Sequence, residues 1–253
     1  ILSSASDSCH RPTQRTNELW QTDFSCFKII GWGWYYLSTV LDDYSRFILS
    51  WKLTTSMGAN DVKDTLDQAI ALTGVTNIPV RHRPRWLSDN GPCYLSGELK
   101  AYLKDRQMGH TRGAPYHPMT QGKIERYHRS MKNVVKLEHY YSPEELERAL
   151  CQFVHHYNHE RYHESLDNIT PADMYYGRYH QIMDQRAMIK QQTLQQRRCE
   201  NLTSYAWTWT GKIIKLPLLI LCPDCPKSFD DIQSASLRTS VPTLSVKTVL
   251  VNW

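Results

Sequence analysis

Three strand-like runs follow one another directly between Leu19 and Leu53, and connections this short restrict the fold more than any other feature of the chain. In the first run Trp20, Thr22, Phe24 and Cys26 fall on one side and Gln21, Asp23, Ser25 and Phe27 on the other, the period of two of a half-buried strand. Gly31 and Gly33 mark a turn; Trp34–Asp43 and Arg46–Leu53 read as two further strands joined at Asp43-Tyr44-Ser45. No crossover helix fits into such turns, so the three runs form an antiparallel meander. Beyond it the pattern alternates. A helix over Asn60–Leu72, capped by Asn60, carries the stripe Val62, Leu66, Ala69 and Ile70 and stops at Gly74. A short run, Arg85–Ser88, is followed by a helix capped by Ser96, a short strand at His110–Arg112 and a longer helix after Thr120. Two more helices have clear starts: the capping box Ser142-Pro143-Glu144-Glu145, and Thr170-Pro171-Ala172-Asp173, ended by Gly177.

Within this β-β-β-α-β-α-β-α order, three acids stand out. Asp23 lies inside an aromatic-rich strand, where a carboxylate is costly unless it pairs or binds a cation. Asp89, in Asp89-Asn90-Gly91-Pro92, falls at a strand end beside a turn, and Glu125 lies on the helix after Thr120. Between Asp89 and Glu125 lie 35 residues, and 65 between Asp23 and Asp89. Together they read as one metal site. Phosphoryl transfer without a covalent enzyme intermediate needs charge neutralisation around an in-line displacement, which two divalent ions roughly 3.5–4 Å apart provide. Hard ions of the magnesium type take oxygen ligands, so carboxylates from separate elements suffice. Asp42 and Asp43 read instead as hairpin turn residues.

The net charge of +5 is modest, and its distribution is more informative. From Lys100 to Lys136 there are nine Lys or Arg residues against two acids, Asp105 and Glu125, an excess that suits a polyanion. On the helix bearing Glu125, the residues Ile124, Tyr127, Met131, Val134 and Val135 gather on one face. His128, Arg129, Lys132 and Lys136 lie within about 60° of Glu125 on the other. The Gly- and Pro-rich stretch Gly113–Gly122 reads as a loop that orders over DNA and metal, with Tyr116, His117 and Gln121 close to the site. His117 is expected to touch DNA or pack the loop, since hard ions prefer oxygen.

The strings WQTDF, LSDNGP and APYHPMTQGKIERYHRSMK, followed by YNHERYHESLDNITPADMYYGR, resemble the catalytic core of bacterial insertion-sequence transposases of the retroviral-integrase type, the DDE recombinases. The resemblance spans about Asn17 to Arg178. It implies an α/β, ribonuclease-H-like fold: a five-stranded mixed sheet flanked by helices, with C-terminal helices and an irregular tail. It assigns Asp23, Asp89 and Glu125 as catalytic residues holding two Mg²⁺ or Mn²⁺ ions. These would activate water to nick the element's ends and then the freed 3′-hydroxyl to attack target DNA. Lys123, Arg126, Arg129, Lys132 and Lys136 would contact DNA phosphates, with Tyr116, His117 and Gln121 beside them. It further implies element ends and target DNA as partners, a homo-multimer assembled on DNA, an upstream helix-turn-helix region for end recognition, and a bacterial, nucleoid-associated cytoplasmic location.

The remaining chain organises around that core. Residues 1–18 are expected to be a polar arm, 19–180 the core with its C-terminal helices, 181–198 a Gln- and Arg-rich helix, and 199–253 a divergent, poorly ordered tail. Ile1 in first position suggests part of a longer product. Seven scattered cysteines and no signal peptide point to a reducing cytosol. No membrane segment is expected: the apolar run near Ile213–Leu221 is broken by Lys215 and Pro217 and is far short of roughly 20 residues. Cys222 and Cys225 have zinc-knuckle spacing but lack a second pair. Two rival readings stay open: a ribonuclease-H-type or Holliday-junction nuclease using the same carboxylates, and a non-catalytic DNA-binding remnant of a decayed element.

Overall fold

The structure, a computed structural model, describes residues 12–113 and 121–205. The chain divides into two units, Ile1–Gln185 and Arg186–Trp253. In the first, β1 (Leu19–Ile29), β2 (Gly33–Asp42) and β3 (Ile48–Thr54) form the antiparallel meander that the short turns dictate. Helix α1 (Ala59–Thr73) leads to β4 (Arg85–Ser88), the short α2 (Pro92–Leu95) and α3 (Gly97–Asp105), then β5 (His110–Arg112). Three more helices follow in this unit: α4 (Gly122–Val135), α5 (Pro143–His159) and α6 (Pro171–Tyr175). The sheet order is β3-β2-β1-β4-β5, with β4 parallel to both β1 and β5. This is the five-stranded mixed sheet of the ribonuclease-H-like expectation.

Alternation along β1 sends its side chains into two cores. Trp20 joins Val40, Leu66, Trp86 and Leu99 in one cluster with α1 and α3. Phe27 and Ile29 join Leu37, Ile124, Tyr127, Met131, Leu150 and Phe153 in another, so α4 and α5 cover the opposite face. Each large apolar side chain removed from water in this way contributes about 1.5–3 kcal/mol.

Helix boundaries follow their caps. Ser142 Oγ accepts the Glu145 amide at 3.3 Å and Thr170 Oγ1 that of Asp173 at 3.1 Å, each just before a proline at the first helical position. The Glu145 carboxylate reaches the Tyr141 amide at 2.9 Å, one residue earlier than a capping box requires. Asn60 does not cap α1. The helix starts after Gly58, whose amide donates to Asp61 Oδ2 at 2.9 Å, and it ends at Gly74 with φ +63°, a conformation glycine adopts without strain. On α4, Val134 is 55% exposed and His128 only 5%, the reverse of the expected faces. By the helical period His128 is closer to the centre of the Ile124–Tyr127–Met131–Val135 stripe than Val134 is.

Helix α7 runs Tyr179–Tyr205 and is polar along its length. It runs past the expected 181–198 helix, so residues 199–205, expected to belong to the irregular 199–253 tail, are helical; the rest of that tail and most of the expected N-terminal arm lie outside the described residues. No helix among the described residues is long and apolar enough to cross a membrane.

Candidate active site

Asp23 and Asp89 come together through strand register. The parallel ladder pairs Leu19 with Arg85, Trp20 with Trp86 and Gln21 with Leu87. Two further steps along both chains bring Asp23 level with Asp89, just past the end of β4 and on the same face of the sheet. Asp89 Oδ1 accepts the Gly91 amide at 2.8 Å, the turn geometry that Asp-Asn-Gly-Pro favours. Partial burial and then the nearby Asp23 charge raise the Asp89 carboxyl above the usual aspartate range, while the Gly91 hydrogen bond lowers it.

Helix α4 crosses this face and is tied to β1 at three points. Gln21 Oε1 accepts the Ile124 amide at 3.1 Å, Gln121 Nε2 lies 3.5 Å from the Thr22 carbonyl, and His128 Nδ1 lies 3.2 Å from Asp23 Oδ2. Gln121, Glu125 and His128 are spaced i, i+4, i+7 and so share one side of the helix. Glu125 therefore sits on the stripe that meets Thr22 and Asp23, with an exposed side chain. Among the described residues no three His, Cys, Asp or Glu side chains form a ready metal cluster. The formed element of the site is the Asp23–Asp89 pair, with Glu125 on the neighbouring helix.

A second carboxylate network holds the base of α4. Asp43, 5% exposed, accepts from Gln21 Nε2, Thr13 Oγ1 and Lys123 Nζ, each at 2.7 Å. Lys123 Nζ also donates to the Asp43 carbonyl at 2.7 Å. Thus Lys123, expected at a DNA phosphate, has its ammonium engaged within the protein. Asp42, fully buried, accepts from the Asn17 amide and from both the amide and hydroxyl of Ser45. Burial pushes its carboxyl up to about 6 against those hydrogen bonds. Asp43 is a turn residue as expected, while Asp42 is the last residue of β2, and both are buried and hydrogen-bonded.

Of the other expected DNA contacts, Gln121 is buried against β1. Arg126, Arg129 and Lys136 are exposed and Lys132 is half-buried. Tyr116 and His117 lie outside the described residues. Sequence reasoning missed His128 as a partner of Asp23 and the Gln21–Asp43–Lys123 network. The first was visible as a histidine flanking the apolar stripe, whereas Asp43 gave no signal beyond that of a turn.

The integrase core domain family matches residues 13–118, and a second family of the same description matches 106–171. The Gag-Pro-Pol polyprotein of squirrel monkey retrovirus is 30% identical over 120 residues, 47% of this chain and 6% of the polyprotein. That of mouse mammary tumor virus (strain BR6) is 29% identical over 144 residues, 55% of this chain and 8% of the polyprotein. The chain therefore spans less than a tenth of these relatives. Among solved structures, a simian T-cell lymphotropic virus intasome bound to the PP2A regulatory subunit B56 gamma matches at TM-score 0.55 and 25% identity, covering 65% of this chain and 56% of that one. The dimeric form of the HTLV-2 integrase catalytic core domain in complex with magnesium matches at TM-score 0.50 and 21% identity, covering 64% of this chain and 97% of that one, a likeness of fold.

Proposed function

We propose, on the premise that residues 13–171 form an integrase core domain homologous to retroviral integrases, that this chain cleaves and joins DNA strands by metal-dependent phosphoryl transfer. The observation that carries the reading is the register that sets Asp23 beside Asp89, with Glu125 on the adjoining face of α4. These three would hold the metal, two Mg²⁺ or Mn²⁺ ions in our reading. The fit is chemical: all three donors are carboxylate oxygens, and the charge of Asp23 that raises the Asp89 carboxyl is the repulsion a shared cation relieves. Bound there, divalent ions supply activation of the attacking oxygen and neutralisation of the leaving one.

The chain's own groups do the rest by positioning. The Gly91 amide holds Asp89, and His128 holds Asp23. Gln21 and Gln121 fix the start of α4, which sets where Glu125 stands. Exposed Arg126, Arg129 and Lys136, with Lys132, are suited to DNA phosphates, contributing salt-dependent affinity with little sequence choice. Tyr116 and His117 complete the proposed DNA contacts, together with Lys123 once its Asp43 pair opens, whereas Gln121 is buried against β1 and serves α4 instead.

The finer origin also belongs to this proposal. A bacterial insertion-sequence transposase, nucleoid-associated in the cytoplasm and assembling as a homo-multimer on element ends and target DNA, is supported by the motif strings. The relatives named above are retroviral. The test is incubation of the chain with a pre-nicked duplex carrying the end of its own element, with Mg²⁺ or Mn²⁺, beside Asp89→Asn. Strand-transfer product from the wild type alone supports the reading. DNA binding without product from either protein, even with an upstream DNA-recognition region supplied, would leave a non-catalytic remnant.

A further inference from the structure

On the other flank of α4 lies a cleft lined by Arg46, Lys123, Arg126, Tyr127, Arg161 and His163. Taking Glu125 as zero on the helical wheel, Arg126, Lys123 and Tyr127 lie at about 100–200°, away from the acidic stripe. We propose that this cleft binds a single phosphate group. The inference goes beyond the acidic-site reading and does not depend on it.

Charge is the first support. Four cationic side chains converge here, and only Lys123 has a carboxylate partner, Asp43. Among the described residues Arg46, Arg126 and Arg161 form no ion pair; Arg161 instead packs 5.7 Å from the Tyr157 ring centroid. Burial and then the Arg126 charge lower the Arg46 guanidinium, with the Tyr157 and Asp43 charges acting the other way. Arg46 adopts φ +63°, a left-handed conformation that is strained for a bulky residue. Planar guanidinium groups match phosphate oxygens in bidentate geometry, which favours phosphate over a halide.

Orphaned polar atoms are the second, independent support. Tyr127 is 1% exposed and its Oη has no hydrogen-bond partner among the described residues. His163 Nε2 is likewise buried and unpartnered. Leaving a buried polar group unmatched is costly, and a phosphate oxygen seated in the cleft that Tyr127 lines would offer its hydroxyl an acceptor. Burial, with help from Arg161 and Arg46, holds the His163 ring neutral by lowering it to about 4, so it adds no charge of its own at neutral pH.

The test is a titration of the full chain with inorganic phosphate at constant ionic strength, followed by calorimetry and by thermal melting. Saturable binding is expected in the wild type, about tenfold weaker or more in Arg126→Gln and in Arg161→Gln, and unchanged in Lys104→Gln on the exposed side of α3. Tyr127→Phe should keep its melting temperature in chloride yet lose phosphate affinity, a split that a merely structural tyrosine would not give. A short DNA duplex then identifies the source. Displacement of phosphate assigns the site to a DNA phosphodiester, and no displacement assigns it to a free phosphate; either result requires the site. Absence of saturable binding in the wild type, or equal binding by Arg126→Gln, Arg161→Gln and the wild type, would overturn it.

Discussion

Asp23 was legible as a candidate because an aspartate in an aromatic strand is costly without a partner or a cation, whereas Asp89 alone reads as a turn residue and Glu125 alone as a solvated helix position, and both were singled out only by their spacing and flanking motifs. The groups that hold them were less legible, since His128 and Asp43 look like a helix-flank residue and a turn residue until the register is known. Removing His128's contact tests its role: His128→Leu should keep the fold but slow strand transfer about tenfold or more, with weakened metal affinity, and an unchanged metal titration would contradict this. Ionisation makes a second prediction. Burial lowers the His110 ring from 6.5 to about 4, and its Nε2 lies 2.9 Å from Ser88 Oγ. Between those values the unfolded chain binds the proton and the folded chain does not. The stability due to neutral His110 is therefore complete above about 6.5 and is lost as pH falls through about 4. Asp42, raised to about 6, acts in the opposite sense: its folded form keeps the proton longer, so its contribution weakens as pH rises from about 4 to about 6. Urea unfolding of His110→Gln at pH 4.5 and pH 7 should show a smaller gain in stability with pH than the wild type, by about 1–2 kcal/mol after allowing for partial exposure. Equal gains would contradict the assignment.

The starts of helices α5 and α6 were read to the residue because serine or threonine before proline is a side-chain signal. Helix α1 was misread at its start because its cap is a glycine amide bonded to Asp61, which leaves no mark on the capping residue itself. Ser142→Ala should cost about 1 kcal/mol in unfolding experiments. A larger effect is expected at the far end of α5. Buried Asn158 accepts the Ile48 amide at 2.9 Å and donates to the Ile48 carbonyl at 3.1 Å, matching both backbone groups at the start of edge strand β3. Asn158→Ala leaves two buried groups unmatched, so a loss of about 2–4 kcal/mol is expected, accompanied by faster amide exchange at Ile48. Unchanged exchange there would show that the clamp does not hold β3. In the sequence this residue was one of several polar residues in YNHERYHESL, with nothing to separate a backbone clamp from a surface contact.

At the scale of the whole domain, short turns foretold the meander, whereas β1, read as half-buried, is covered on both faces because helices pack on each side of the sheet. The position of β4 beside β1 was beyond local pattern, because parallel pairing is a long-range choice between runs separated by a helix. That choice is also what brings Asp89 level with Asp23 in the candidate site. The measurement closest to the central claim uses a branched DNA that mimics the product of strand transfer. By microscopic reversibility, a competent site resolves this DNA into its parental strands without needing any upstream region to recognise an end. With Mn²⁺, the wild type should resolve it, while Asp23→Asn, Asp89→Asn and Glu125→Gln should each be slower by about a hundredfold or more. Full resolution by any of the three variants, or none by a wild type that binds the DNA, would contradict the assignment of these carboxylates as the site of strand transfer.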